Sequence, residues 1–241
     1  MRIITILILL LSLNVSCAKK KEPTTAEYSY GKAMKLLKDK DYLQAAEAFE
    51  KIAEDYPFAE LSAKSQAMAV YSYYKEKDYT KLTQLASDFI QLNINSEYTP
   101  YMFYMNGLAY YNQIPDIKRS QDSAKQASSV FRELRARFPE SDYATDVKEK
   151  LSFIDEHLAG EIMSVARYQM HNGNYVGAIK NFHEVKQRYA RTNQVAEAHF
   201  RLLEIYTKLG LKKQSQEEFS ILLNDFTASE WLQIAQKSLN K

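Results

Sequence analysis

The only cysteine of the chain, Cys17, is the residue whose type and position most directly predict a chemical modification. It follows an apolar run over residues 3–13 and the small residue Ser16, and polar residues begin directly after it. An apolar run of this length is too short to span a bilayer and is typical of a secretory signal. A cysteine at the end of such a signal predicts cleavage in front of it and acylation of its thiol, which anchors a chain to a membrane.

Two segments follow from this interpretation. Residues 1–16 are predicted to be a signal peptide, and the lysine-rich residues 17–25 a lipidated, flexible tether. The alternative is an ordinary signal peptide with an incidental cysteine. Asn14 stands where lipoprotein signals usually have an aliphatic residue, so the efficiency of cleavage stays open.

The rest of the sequence shows no arrangement of side chains suited to catalysis or metal binding. The four histidines lack metal-ligand spacing and are expected on solvated helix faces or packed against a neighbouring helix. With only 6 glycines there are no phosphate-binding loops and no nucleophile elbow. Carboxylates stand beside basic residues, as in Glu133 and Arg137, an i,i+4 pair typical of a solvated helix face. We therefore expect no catalytic residue, no metal site and no cofactor.

Composition and charge narrow the class of protein further. The chain has 32 basic and 30 acidic residues, so its net charge does not attract nucleic acid. Its 6 glycines and 5 prolines are too few for the many turns of a β-sheet protein, whereas 46% apolar residues suffice for a helical core. The composition favours packed amphipathic helices.

Five segments of the chain repeat one pattern, in which aromatic residues follow one another at intervals of seven. The first aromatic position holds Phe49, Phe131, Phe182 and Phe219, and the second holds Tyr56, Phe138, Tyr189 and Phe226. The second segment departs from the pattern, with Ala86 and Asn93. The first segment matches the second helix of a tetratricopeptide repeat (TPR) at Tyr42, Ala45, Phe49, Ile52 and Pro57. The sequence thus predicts an all-α fold, a right-handed superhelix of about five TPR helix pairs with a C-terminal capping helix from Ser229 to Leu239.

The repeats start at unequal intervals of 37, 45, 51 and 37 residues, so the chain must contain insertions. One is predicted over residues 112–121, and another is a long helical run from residue 141 to about residue 172. That run is expected to form one extended helix or two joined end to end, and to divide the superhelix. The predicted halves are residues 26–139, with repeats 1–3, and residues 140–241, with the long helix, repeats 4–5 and the capping helix.

Tyrosines at helical spacing form the candidate binding site. In TPR domains, positions two, five, nine and twelve of each first helix line a concave groove. These positions hold Tyr30, Tyr71, Tyr74, Tyr101, Tyr104 and Tyr111, and Lys75 is a candidate partner for a carboxylate. Tyrosine combines an apolar ring with a hydroxyl, so such a row is suited to hold an extended peptide by stacking and hydrogen bonding. The alternative for each tyrosine is packing between helices.

Several stretches of the chain resemble the BamD family of outer-membrane assembly lipoproteins of Gram-negative bacteria. They are EDYPFAELSAKSQAMAVYSYYKEKDY, YMFYMNGL, IPDIKRSQDSAKQASSVFRELRARFPESDYATDVKEKL and SVARYQMHNGNYVGAIKNF. The resemblance extends over essentially the whole mature chain and includes the cysteine, the insertion in repeat three and the long linking helix.

The resemblance implies a non-enzymatic lipoprotein scaffold, held at the periplasmic face of the outer membrane by its N-terminal lipid. It implies that residues 141–226 bind the periplasmic domains of a BamA-like barrel insertase. It also implies that the groove within residues 26–111 receives unfolded outer-membrane proteins. Other lipoproteins of the assembly complex are implied partners, and nucleic acid is not.

Two other functions are weighed against this one. The first is a periplasmic TPR adaptor for cell-division or peptidoglycan enzymes, which shares the helical repeats and the signal but not the anchored cysteine or the insertion. The second is an enzyme with a helical repeat fold. It would need a catalytic glutamate in a separate globular domain, and the sequence leaves no residues to build one.

Overall fold

The structure, a computed structural model, describes residues 25–117 and 119–239, and all regular secondary structure within them is helical. The predicted signal peptide, Cys17 and residues 17–24 of the predicted tether lie outside the described residues. None of the described helices combines the length and hydropathy that crossing a membrane requires.

The described residues form eleven helices, and the first ten follow one another as five pairs. They are α1 (Ala26–Lys38), α2 (Tyr42–Asp55), α3 (Leu61–Glu76), α4 (Tyr79–Leu92), α5 (Thr99–Tyr111), α6 (Asp122–Arg137), α7 (Ala144–His171), α8 (Tyr175–Arg188), α9 (Gln194–Lys208), α10 (Lys212–Asp225) and α11 (Glu230–Leu239). In each pair the first helix packs on the second, and α11 packs on α9 and α10. The predicted helical TPR superhelix with a C-terminal capping helix is therefore confirmed.

The turn inside four of the five pairs contains one residue in the left-handed conformation. These residues are Lys40, Lys77, Gly173 and Gly210, with φ between 66 and 78°. The second helix of each pair begins two residues later. In two pairs the intervening residue caps it, because the side chains of Asp78 and Asn174 accept hydrogen bonds from backbone amides of the first turn. The third pair has residues 112–121 in place of this turn, where the sequence predicts an insertion.

The repeated aromatic residues form the core of the pairs. Phe49, Phe131 and Phe182 are fully buried at the first aromatic position. In α4, which departs from the pattern, Ala86 is buried and Phe89, one turn further along, is buried beside it. The second pair therefore keeps one large aromatic side chain but shifts it by a helical turn.

The long run after the third pair is one helix, α7, of 28 residues. Its buried side chains recur every one to four residues along its whole length, as Val147, Leu151, Ile154, Leu158, Ala159, Met163 and Ala166. The helix packs on α6 before it and on α8 and α9 after it. One buried apolar cluster continues across it, from Ala46 to Tyr206. The division of the chain into two halves stays a prediction.

Candidate peptide-binding surface

The six predicted groove tyrosines lie on the first helices of the first three pairs. Tyr30 belongs to α1, two belong to α3 and three belong to α5. Because α1 packs on α3 and α3 packs on α5, these helices present one continuous surface, here called the tyrosine face: Tyr30, Tyr71, Tyr74, Tyr101, Tyr104 and Tyr111. The phenol of Tyr71 is close enough to that of Tyr101 to act on it electrostatically, as that of Tyr74 is to Tyr104.

Tyr30 occupies one end of the tyrosine face. Its ring meets Phe49 of α2 edge-on, with 5.3 Å between ring centroids. The Lys64 ammonium of α3 lies 5.5 Å from the centroid of the Tyr30 ring. Burial, and to a smaller extent the neighbouring Tyr98, raises the pKa of Tyr30. The sequence patterns did not single out Lys64 as a binding residue. It lies seven residues before Tyr71, however, and so at position two of the first helix of a TPR, which is one of the groove positions.

Tyr71 and Tyr74 form the middle of the tyrosine face. The hydroxyl of Tyr74 accepts a hydrogen bond of 3.2 Å from the Asn112 side chain, at the start of the insertion. Tyr71 is the exposed member of the set, at 37%. Within the described part of the chain, its hydroxyl makes no hydrogen bond and its ring makes no aromatic contact. Tyr71 is therefore the member best placed to meet a ligand.

Tyr101 and Tyr104 join α5 to the start of α7. The ring of Tyr104 stacks on Tyr143 at 4.7 Å between centroids, and its hydroxyl donates a 2.8 Å hydrogen bond to Asp146. The ring of Tyr101 lies 6.1 Å from the same Tyr143. Burial, followed by the hydrogen bond to Asp146 and its charge, raises the pKa of Tyr104. Burial likewise raises the pKa of Tyr101. Both phenols therefore keep their proton at neutral pH, and the Tyr104 hydroxyl donates it to Asp146 in a hydrogen bond.

Tyr111 ends the tyrosine face at the other side. Its ring meets Phe153 of α7 edge-on at 5.5 Å, and the Lys150 ammonium lies 5.3 Å from its centroid. Lys150 also forms a 3.0 Å ion pair with Asp146, which holds it in place. The TPR register assigns no groove position to the N-terminal part of an extended helix. The sequence therefore gave no signal for Lys150 or Phe153.

Lys75 lies apart from these contacts. It is exposed, and its ammonium is 5.7 Å from the ring centroid of Tyr42, which belongs to α2. The lysines whose ammonium groups lie over rings of the tyrosine face are Lys64 and Lys150. A role for Lys75 in binding a carboxylate stays a prediction.

A cavity of about 770 Å³ lies between α7 and α9, the first helices of the last two pairs. Its lining includes Arg167, Arg201 and Lys208. The buried carboxylate of Glu197 accepts hydrogen bonds from Arg167 at 3.0 Å and from Arg201 at 3.1 Å. One carboxylate thus fixes guanidinium groups from two neighbouring helices.

A buried ionic network lies in the same region, centred on Glu218 of α10. Its carboxylate bonds to the ammonium of Lys186 at 2.6 Å and to the ring of His199. Burial opposes ionisation of Glu218, but the hydrogen bonds and positive charges of His199 and Lys186 outweigh it, so the pKa lies below its usual value. Burial, followed by the charge of Lys186, lowers the pKa of His183, whose ring bonds to the Tyr206 hydroxyl at 2.9 Å.

The other two histidines differ in their surroundings. His157 stacks beside Phe153 at 6.0 Å, and His171 is exposed at the rim of the cavity between α7 and α9. In residues 25–117 and 119–239, no three His, Cys, Asp or Glu side chains are grouped so that they could hold a metal ion.

Comparison with known proteins gives consistent matches. Residues 22–222 match the profile of the YfiO family, described as an outer membrane lipoprotein. The chain is 30% identical to the outer membrane protein assembly factor BamD of Caulobacter vibrioides, over 98% of this chain and 80% of that protein. It is also 30% identical to BamD of Rickettsia prowazekii, over 86% of this chain and 83% of that protein. The type IV pilus biogenesis factor PilW aligns at 16% identity over 89% of this chain and 99% of its own, with a TM-score of 0.39.

Proposed function

Because this chain belongs to the YfiO family of outer-membrane lipoproteins, we propose that it is a non-enzymatic scaffold that binds a barrel insertase and unfolded outer-membrane proteins. Its relatives are named outer membrane protein assembly factors, and its role lies in that assembly. The two binding roles, the lipid on Cys17 and a position at the periplasmic face of the outer membrane complete the proposal.

The tyrosine face is the observation that carries the substrate-binding role. An unfolded outer-membrane protein is an extended chain in which apolar and polar residues alternate. Its apolar side chains can pack against tyrosine rings while its backbone groups bond to the hydroxyls. Tyr101 and Tyr104 are held in place by Tyr143 and Asp146, so little ordering is needed when a chain binds. The exposed Tyr71 supplies a free hydroxyl in the middle of this surface.

The proposed binding region for the insertase is residues 141–226, which contain α7 to α10. The support is the set of ionic groups around the cavity of this region, where Glu197 holds Arg167 and Arg201. Charged groups fixed in advance favour selection of one partner over others.

The proposed lipid on Cys17 would keep these surfaces near the membrane. Thr25, where the described chain begins, lies eight positions after Cys17. An extended segment of that length spans at most about 29 Å. A tether of this kind raises the effective concentration of the scaffold at the membrane surface without any further contact.

Site-specific crosslinking tests the substrate site. A photoreactive amino acid is placed at position 71 of the full chain, and a matched control carries it at position 168, where Tyr168 is 72% exposed on α7. Both proteins are mixed with a urea-unfolded outer-membrane protein. We expect crosslinks from position 71 and far fewer from position 168. Equal crosslinking at the two positions would contradict the assignment to the tyrosine face.

A pull-down from detergent-solubilised envelopes tests the partner. The full chain carries a C-terminal tag, and co-purifying proteins are identified by mass spectrometry. We expect a barrel protein with periplasmic domains in near-stoichiometric amount. If cell-division or peptidoglycan enzymes co-purify in its place, the insertase assignment fails.

A further inference from the structure

A groove between the second helices α6 and α8, with α7 as its floor, concentrates positive charge. It consists of two adjoining cavities of about 520 and 370 Å³, which share Arg132, Asp155, Arg188 and Tyr189. Six cationic side chains line it: Lys125, Arg132, Arg135, Lys148, Arg188 and Arg191. The same lining contains three carboxylates, those of Asp155, Glu161 and Glu184. The groove formed by these two cavities is here called the basic groove.

Two of the six cations are already paired. Arg132 donates to both oxygens of Asp155, at 2.7 and 2.9 Å, and Arg188 pairs with Glu184 of its own helix. The other four make no ion pair within residues 25–117 and 119–239. The smaller cavity is the more basic, since five of the cations line it and its one carboxylate, Asp155, is the one that Arg132 holds.

This excess of charge is local. The formal net charge of the whole chain is +2, and the basic groove alone has three more cations than carboxylates. The rest of the chain is therefore slightly acidic on balance. Like charges gathered in one depression repel one another, and its walls focus the field outward. Such an arrangement attracts an anionic ligand, whose binding removes the repulsion.

The shape of the basic groove favours a polypeptide over a membrane surface. The groove is a depression with apolar side chains in its lining, since Leu151, Leu158 and Tyr189 line its cavities and are buried. A flat bilayer cannot enter such a depression, whereas an extended chain can lie along it. Carboxylates on alternate sides of an extended chain would face cations from α6 on one rim and from α8 and the following turn on the other. Arginine is suited to this role because it binds carboxylates in a bidentate manner.

We infer that the basic groove docks an extended segment of another polypeptide rich in aspartate and glutamate. Its two rims lie on the second helices α6 and α8, whereas the six tyrosines of the tyrosine face lie on the first helices α1, α3 and α5. An acidic segment and an unfolded substrate can therefore be held at the same time. The inference does not rest on the insertase assignment, so either can fail without the other.

Fluorescence anisotropy with a labelled oligoglutamate peptide tests the inference on the full chain in neutral detergent. The variant is R135Q/R191Q, and the control is K81Q/K213Q, which loses the same charge at exposed positions of α4 and α10. We expect the dissociation constant of the first variant to rise roughly tenfold or more, because charge-assisted hydrogen bonds are lost. That of the control should change by less than about twofold.

Several outcomes would overturn the inference. An equal loss in both variants would mean attraction by overall charge and no docking site. Displacement of the peptide by inorganic phosphate at similar concentration would identify a phosphate site. Displacement by phosphatidylglycerol added to the micelles, without effect of phosphate, would identify a lipid surface. K148Q, at an exposed position near the start of α7, provides a second variant if the arginine variant does not fold, and its affinity should also fall.

Discussion

At the scale of single residues, the fold depends on a few positions where no other side chain fits its neighbours. Gly107 of α5 is one of them. A Cβ atom added there would lie 2.2 Å from a ring carbon of the buried Phe131. The absence of a side chain at Gly107 therefore sets how closely α5 approaches α6.

We expect G107A to destabilise the protein by about 1–3 kcal/mol, because the Phe131 ring must move. The matched control is G31A in α1, where no atom lies within 4 Å of the added Cβ. That variant should gain about 0.5–1 kcal/mol from helix propensity. Urea unfolding followed by circular dichroism measures both. Similar stabilities for the two variants would show that the contact with Phe131 does not matter.

Glu218 shows how a buried ionic residue makes stability depend on pH. Its hydrogen bonds to His199 and Lys186 and their charges lower its pKa against the effect of burial. A depressed pKa in the folded state means that the carboxylate stabilises the protein above the unfolded-state pKa. That contribution is lost as the pH falls through the folded-state pKa.

We expect E218Q to lose about 3 kcal/mol of stability at neutral pH, because Lys186 and His199 lose their shared partner. The difference from the parent protein should shrink below about pH 4, where the parent carboxyl also becomes protonated. Urea unfolding over a series of pH values measures it, with the exposed neighbour E217Q as control. If the difference in unfolding free energy between the parent protein and E218Q stays constant down to low pH, the charge of Glu218 is not what stabilises the contact between the fourth and fifth helix pairs.

At the scale of the element, the turns within the helix pairs and the length of α7 position the surfaces. Four turns contain a left-handed residue, and two of these are lysines, although glycine adopts this conformation at lower cost. The turn therefore forms with either glycine or lysine at the left-handed position, and its short length is what brings the two helices of a pair together. The extended α7 brings Tyr143, Asp146 and Lys150 against α5, and so completes the tyrosine face.

The turn before α8 gives a test at this scale. Gly173 has φ of +78° and open space around it, so G173A costs only conformational energy, about 1 kcal/mol. The control is G160A within α7, also in open space, which should gain up to about 1 kcal/mol. Thermal unfolding of both proteins measures the opposite shifts. A loss of stability in G160A would indicate that α7 requires flexibility at this position.

At the scale of the whole molecule, each helix pair packs on the pairs next to it along the chain. The stability of each pair is therefore expected to depend on its contacts with these neighbours. The end of the array is covered by α11. Its Leu232 and Ala235 are buried in a cluster with Phe200, Leu203 and Leu222 of the fifth pair.

Removal of residues 229–241 should therefore speed amide hydrogen exchange in α9 and α10 and leave exchange in α1 to α4 unchanged. The reason is that apolar surface of the fifth pair becomes exposed at about 25 cal/mol per Å². Hydrogen exchange with mass spectrometry resolves the two regions. A milder pair of variants is L232A, at a buried position, and I234A, at one that is 41% exposed. Faster exchange in all helices alike would show that the molecule unfolds as a single unit.

The helical repeat and the family could both be recognised from the order of the amino acids. Aromatic residues at intervals of seven lie on one face of a helix, and this is a local property that needs no knowledge of other helices. For the same reason the positions of the six tyrosines on α1, α3 and α5 could be predicted. The buried aromatic residue of α4 was harder to predict. The repeat pattern places Ala86 at the aromatic position, and the burial of Phe89 in the core depends on how the neighbouring helices pack.

The contacts that these residues make with other helices could not be predicted in this way. Tyr104 and Asp146 are 42 positions apart, and their bond exists because α7 begins beside α5. The basic groove likewise combines cations of α6, α7 and α8 that look like ordinary solvated residues in the sequence. Helix periodicity reports on which side of a helix a residue lies. Contacts between helices depend on how the pairs are stacked, and that is set by the whole core.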